Sequence, residues 1–204
     1  MYLEKDIIKE GNPLLKKKCN KVNIPLTKAD KDCINQLAEY LEVSEDEEKT
    51  KELGIRAGVG IAAPQVGVMK RMFAMNATDF LDEEKKKYFY CVVNPEILAR
   101  SSQEVYLPGG EGCLSVDRDT NKMLTPRNYK IIAKFALYDP KTGKIKYEKQ
   151  TLEGYPAIVF QHEYDHLDGI MYVDKMYTKD EMDERKVLPL YTLADDEDEN
   201  EEDE

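Results

Sequence analysis

The sequence has no tryptophan, only two histidines and only four cysteines in 204 residues. No stretch approaches the ~18 consecutive apolar residues of a membrane span. Its opening, Met1 to Lys9, mixes charged and apolar side chains. It lacks both the apolar run of a signal peptide and the Arg- and Ser-rich, acid-poor pattern of a transit peptide. Cys19, Cys33, Cys91 and Cys113 lie far apart with no CxxC, which fits a reducing cytoplasm better than a disulfide scaffold. A basic excess is also missing: 30 Lys and Arg face 41 Asp and Glu, for a net charge of −11. Nine of those acids fall in Asp195–Glu204, so the remainder carries about −2. Neither a broad nucleic-acid-binding surface nor a membrane partner is expected.

What is present describes a globular chain of ordinary size. Hydrophobic residues make up 41% and charged residues 35%, enough for a core beneath a heavily charged surface. With no repeat and no Gly- or Ser-rich linker, residues 1–194 read as a single domain, and 195–204 as a disordered acidic tail.

Asn12-Pro13 has the form of an N-cap followed by proline and predicts a short helix through Lys18. Thr27 to Val43 carries Cys33, Ile34, Leu37, Ala38 and Leu41 on one face at helical spacing. Ser44 to Lys51 is charge-rich and predicts a solvated helix end or loop. Arg71–Asn76, Tyr88–Asn94 and Ile97–Tyr106 read as strands, with Asp79–Lys87 as an exposed insertion. Tyr129–Tyr138 and Ile145–Leu152 form a hairpin pattern around the turn at Asp139–Lys144. From Pro156 to Leu167 the pattern is helical, and Thr178 to Glu181 marks a capping box for a last short helix.

Both histidines fall in His162-Glu163-Tyr164-Asp165-His166. Residues four apart on a helix lie ~40° apart around its axis, so both imidazoles face the same way and two nitrogens can hold one metal ion. Glu163 stands beside that ion, where it can move a proton. Two histidines do not complete a site that usually takes three protein ligands. Gly169 fits the glycine of a longer HExxHxxGxxH pattern, but Tyr172 stands where a third histidine would be. The third ligand is therefore Cys, Asp or Glu. Cys113, in Glu111-Gly112-Cys113-Leu114-Ser115 beyond a Pro-Gly-Gly turn, leads, because a thiolate suits a soft or borderline divalent ion. Cys33 and Cys91 sit in apolar contexts and read as buried small hydrophobes. Cys19 follows three lysines and reads as exposed or at a helix end. Gly58-Val-Gly-Ile-Ala-Ala-Pro-Gln65 taken alone is a turn leading into buried structure, with glycines that let a ligand approach the backbone.

Together and in this order, Gly58–Gln65, Glu111–Ser115 and Gln161-His-Glu-Tyr-Asp-His-Leu-Asp-Gly169 resemble the three motifs of the peptide deformylases. The likeness extends from Asn12-Pro13 to about Tyr177 and is closest to the longer, second type of bacterial enzyme. The acidic tail lies outside the pattern, and the C-terminal helix of the shorter type, associated with ribosome contact, is not seen. The resemblance implies an α+β fold, with antiparallel sheets packed around a central helix carrying the HExxH motif. It implies a hydrolase that removes the formyl group from the N-terminal formyl-methionine of nascent peptides, with transient proximity to the ribosome. It further implies that Cys113, His162 and His166 hold one divalent ion, usually Fe2+, with Zn2+, Ni2+ or Co2+ as substitutes. Glu163 is then the general acid–base, and the Gln65 side chain and the Leu114 N–H are the donors to the oxyanion. By the same resemblance, Gly60 and Gly112 pair with the extended substrate, while Val59, Ile158 and Val159 wall the methionine pocket. Two alternatives stand against it: a zincin-like protease with Glu181 or Glu184 as third ligand, and a non-catalytic metal-binding protein.

Overall fold

The computed structural model describes residues 1–80 and 82–191. The acidic tail expected at 195–204 lies outside the described residues.

The first long element is helix α1, Lys28–Val43. Thr27 caps it by accepting from the Asp30 N–H at 3.2 Å, and the Asp30 carboxylate answers by accepting from the Thr27 N–H at 3.1 Å. These bonds satisfy donors that a helix N-terminus leaves orphaned. The apolar face seen in the sequence is buried, with Ile34, Leu37 and Leu41 fully enclosed. The charge-rich stretch that follows contains a second helix, α2, Glu47–Leu53, capped by Asp46. Asn12-Pro13 opens a single 3-10 turn, Pro13–Lys16, rather than a longer helix.

The main sheet has five antiparallel strands. In chain order they are β1 (Gly60–Ala62), β2 (Met72–Thr78), β3 (Lys87–Arg100), β6 (Lys130–Tyr138) and β7 (Ile145–Glu153), and they are neighbours in that same order. A second sheet of three short strands comprises β4 (Glu104–Tyr106), β5 (Arg127–Asn128) and β8 (Leu188–Pro189). In it β4 pairs antiparallel with β5 but parallel with β8. The sequence predicts two strands at Tyr88–Asn94 and Ile97–Tyr106, and the structure divides them differently. β3 runs through Asn94 and Pro95 with a register shift, and only Glu104–Tyr106 leaves for the second sheet. Asn94 adopts a left-handed φ of 51°, held by two 2.8 Å bonds between its side-chain amide and the Val22 backbone. That tertiary tie bends the strand without ending it.

Helix α3, Gly154–Leu167, carries the HExxH segment and packs against β1, β2 and β7. Nearly every residue of α3 is buried, so it shows no amphipathic stripe. Phe160 anchors it to the sheet, meeting the Phe73 ring edge-on at 5.1 Å and the Phe135 ring at 5.7 Å. Gly169 follows at φ 73°; a Cβ there would come within 2.6 Å of the Lys16 backbone, so only glycine lets the helix end pass the N-terminal segment. The last helix, α4, Lys179–Glu184, begins at the expected capping box. Among the described residues no helix is long and apolar enough to cross a membrane.

Candidate active site

Three segments converge on one cavity of about 420 Å³. The segment from Val59 through β1 and the 3-10 turn Ala63–Val66 supplies Val59, Gly60 and Gln65; the irregular loop between β4 and β5 supplies Glu111, Gly112, Cys113 and Leu114; α3 supplies Ile158, Val159, His162 and Glu163. His166, one turn beyond His162, is buried beneath. Residues assigned to the site from sequence thus come together from stretches up to about a hundred positions apart.

Cys113, His162 and His166 place their donor atoms within 4.8 Å of one another. Cys113 Sγ lies 3.3 Å from His166 Nε2, and the two imidazole centroids are 5.0 Å apart. Bonds of ~2.0–2.3 Å to a tetrahedral ion place donors about 3.5 Å apart, so this set fits a divalent metal. His162 Nδ1 is engaged with Glu111 Oε2 at 2.7 Å, which leaves Nε2 for the ion. Burial alone would push the Cys113 thiol up, but the imidazoles of His166 and His162 outweigh it and hold the thiol well below its ordinary value. Burial opposes the charged form of His162, yet Cys113 and Glu111 raise it well above the usual imidazole range. The other three cysteines behave oppositely. Burial pushes Cys33 up, Cys91 up to about 12 and Cys19 up to about 11. Cys19, expected to be exposed or at a helix end, is buried: its N–H bonds the Leu167 carbonyl at 2.8 Å, and its side chain packs with the end of α3.

Glu163 is buried, and its Oε2 has no hydrogen-bond partner. Burial raises its carboxyl to about 7, against the opposing pull of His162 and His166. Its other face rests on Gly60, where a Cβ would sit 2.2 Å from Oε1; the glycine is needed to leave room for this carboxylate. Gln65 is held by the Ala62 N–H, which donates to its Oε1 at 2.8 Å. That bond turns its NH2 toward Ser115 Oγ at 3.1 Å and Cys113 Sγ at 3.4 Å. Ile158 and Val159 form apolar wall and are buried, whereas Val59 is 44% exposed at the rim. Tyr155 also lines the cavity.

Two contributors, Arg127 and Tyr172, carry no role that the sequence predicts. Arg127, in β5, donates to Glu111 through Nε at 2.7 Å and Nη2 at 2.9 Å, and to Asp165 through Nη1 at 2.5 Å. Its side chain is 2% exposed and that of Glu111 4%. The guanidinium offsets burial and holds the Glu111 carboxyl down to about 2. Glu111 therefore faces His162 as a fixed anion. Tyr172 stacks on the His162 ring at 5.7 Å. The motifs contained Glu111 and Asp165, but nothing local marked Arg127, whose partners are 16 and 38 residues away. The alternative ligands do not reach the cluster. The Glu181 carboxylate caps α4, accepting from the Thr178 N–H at 2.7 Å, and Glu184 ends the same helix.

A family model described as Polypeptide deformylase matches residues 4–182. The chain belongs to the polypeptide deformylase family. It is 45% identical over 174 residues to a peptide deformylase of Staphylococcus epidermidis, covering 85% of this chain and 91% of that protein. Peptide deformylase 2 of Geobacillus stearothermophilus is 42% identical over 180 residues, covering 88% and 93%. Among solved structures, a probable peptide deformylase from Synechococcus phage S-SSM7 superposes with a TM-score of 0.62 at 34% identity, covering 83% of this chain and 97% of that one. The fold is of mixed α+β type, and the activity is hydrolytic removal of the N-formyl group from formyl-methionine at the start of nascent peptides. Members are metalloenzymes, and the Cys/His/His cluster is the candidate ion site here.

Proposed function

We propose that Cys113, His162 and His166 are the ligands of one divalent ion, usually Fe2+, and that Glu163 is the proton carrier in deformylation. The observation that carries this reading is the meeting of three donor atoms with a buried carboxylate whose Oε2 has no protein partner. The ion, when bound, supplies Lewis acidity that makes water nucleophilic near neutral pH. Glu163, buried beside the donor cluster with an unpartnered Oε2, takes the proton from the attacking water and returns it to the departing amine nitrogen. Charge growing on the formyl oxygen is met by two donors, the Gln65 Nε2–H and the Leu114 backbone N–H. Gly60 and Gly112 hold the extended peptide by backbone pairing, as an added strand is held at a sheet edge. Val59, Ile158 and Val159 receive the methionine side chain. The substrate reaches the enzyme as nascent chains, in the cytoplasm and in transient proximity to the ribosome.

Cobalt substitution tests the ligand set. The parent protein loaded with Co2+ should show a sulfur-to-metal charge-transfer band that disappears in Cys113→Ala and persists in Cys33→Ala and Cys91→Ala. An unchanged band in Cys113→Ala removes that cysteine from the site.

A further inference from the structure

The N-terminal segment crosses behind both proposed oxyanion donors. The Ile8 N–H donates to the Gln65 carbonyl at 2.7 Å, and the Glu10 N–H to the Ser115 carbonyl at 2.7 Å. Between them, Lys9 Nζ donates to the Leu114 carbonyl at 3.0 Å. The same oxygen accepts from Arg56 Nη2. Arg56 also donates through Nη1 to the Val116 carbonyl at 3.2 Å, and it lines the cavity.

Two cations on one backbone carbonyl need compensation, and two carboxylates provide it. Glu4 lies 2.5 Å from Lys9 and 3.2 Å from Arg56; Asp117 lies 3.1 Å from Lys9 and 3.0 Å from Arg56. The four-residue cluster is internally neutral, so its far field on the reacting oxygen is small. What remains is geometric. Charge-assisted bonds are shorter and roughly twice as strong as neutral ones. A carbonyl held by two of them fixes the peptide plane on one side of Leu114. The Cys113 side chain, held from the other side by His166 and Gln65, restrains the neighbouring residue. The Leu114 N–H lies between these two restraints.

We propose that Lys9 and Arg56 are positioning residues: by clamping the Leu114 carbonyl they set the direction in which the Leu114 N–H points into the cavity. The proposal rests on the donor role given above to Leu114. A preorganised donor contributes in the transition state and little in the ground state, so misalignment should lower kcat and leave KM in place.

The test compares the metal-loaded parent with Lys9→Met, Arg56→Met and Lys9→Arg on a formyl-Met tripeptide, with bound metal measured in each. Losing a whole donor costs ~10²–10³ in rate, and misdirecting one should cost about tenfold in kcat in both Met variants with metal content unchanged, and in Lys9→Met, whose side chain does not line the cavity, KM should stay within about twofold. Lys9→Arg should recover most of the loss. Independently of activity, in metal-free protein labelled with ¹⁵N-leucine, the Leu114 amide resonance should move in Lys9→Met and return toward its parent position in Lys9→Arg. Parent-like kcat in both Met variants, an unmoved Leu114 resonance, or a kcat loss matched by an equal loss of metal would overturn the proposal. A parent that releases no formate would instead defeat the deformylase reading of this site, and the proposal with it.

Discussion

At the scale of single residues, the site depends on pairs in which one partner is visible in sequence and the other is not. Glu111 belongs to the Glu111–Ser115 motif. Its value to the site comes from Arg127, which holds it anionic in a place where water cannot. Breaking a buried pair by removing one partner typically costs about 3–5 kcal/mol, because the other charge stays buried and alone. Arg127→Met leaves two such carboxylates, Glu111 and Asp165, although Lys175 still reaches Asp165 at 2.7 Å. We expect the variant to lose about 3–5 kcal/mol in urea unfolding and to bind metal about 10–100-fold more weakly, since Glu111 orients His162. Unchanged unfolding together with unchanged metal affinity would show that the network is dispensable. The clustering of both histidines with Cys113 is legible in the sequence, because metal chemistry restricts residue type and spacing. Arg127 is not, because an arginine in a two-residue strand carries no local signal. The exposure expected of Cys19 fails for a related reason: the lysines before it describe its neighbours, whereas burial of its own side chain is set by packing against the end of α3.

At the scale of elements, local signals served well wherever local physics decides. The period of α1, its Thr27 cap and the turn before β7 are all short-range features. The second sheet had no such signature. Its strands have two or three residues each and are joined only by pairing between distant segments. Helix α1 also permits a pH test. The Asp30 side chain is buried; burial raises its pKa, but the Lys70 ammonium and the Thr27 hydroxyl and N–H outweigh it and lower the carboxyl overall. A carboxyl lowered in the folded state adds stability that is fully present above its unfolded pKa and is lost as pH falls through the folded one. Asp30→Asn should therefore cost about 1–3 kcal/mol at neutral pH. The gap from the parent should close as pH drops below the ordinary carboxylate range. Unfolding curves at neutral and acid pH check this, and a gap that widens in acid would reverse the assignment.

At the scale of the whole molecule, charge is unevenly shared. Residues Asp195–Glu204 hold nine of the 41 acids, with no apolar side chain among them. Like charges without apolar partners neither pack nor dock readily. Deleting 195–204 should leave metal content and turnover of short neutral formyl-peptides within about twofold of the parent, and should lower solubility as most of the net charge is lost. A collapse of kcat/KM on formyl-Met dipeptides would mean that this segment acts on the cavity.

In the proposed mechanism an ion held by Cys113, His162 and His166 works with Glu163 to release formate. Formate release from a formyl-Met peptide is measured for anaerobically purified, iron-loaded parent and Glu163→Gln, with iron determined in both. General acid–base groups typically contribute ~10²–10⁴ in rate. Equal iron in the two proteins and a loss of that size in the variant are expected. A Glu163→Gln enzyme that keeps its iron and turns over within about tenfold of the parent would remove Glu163 as the proton carrier.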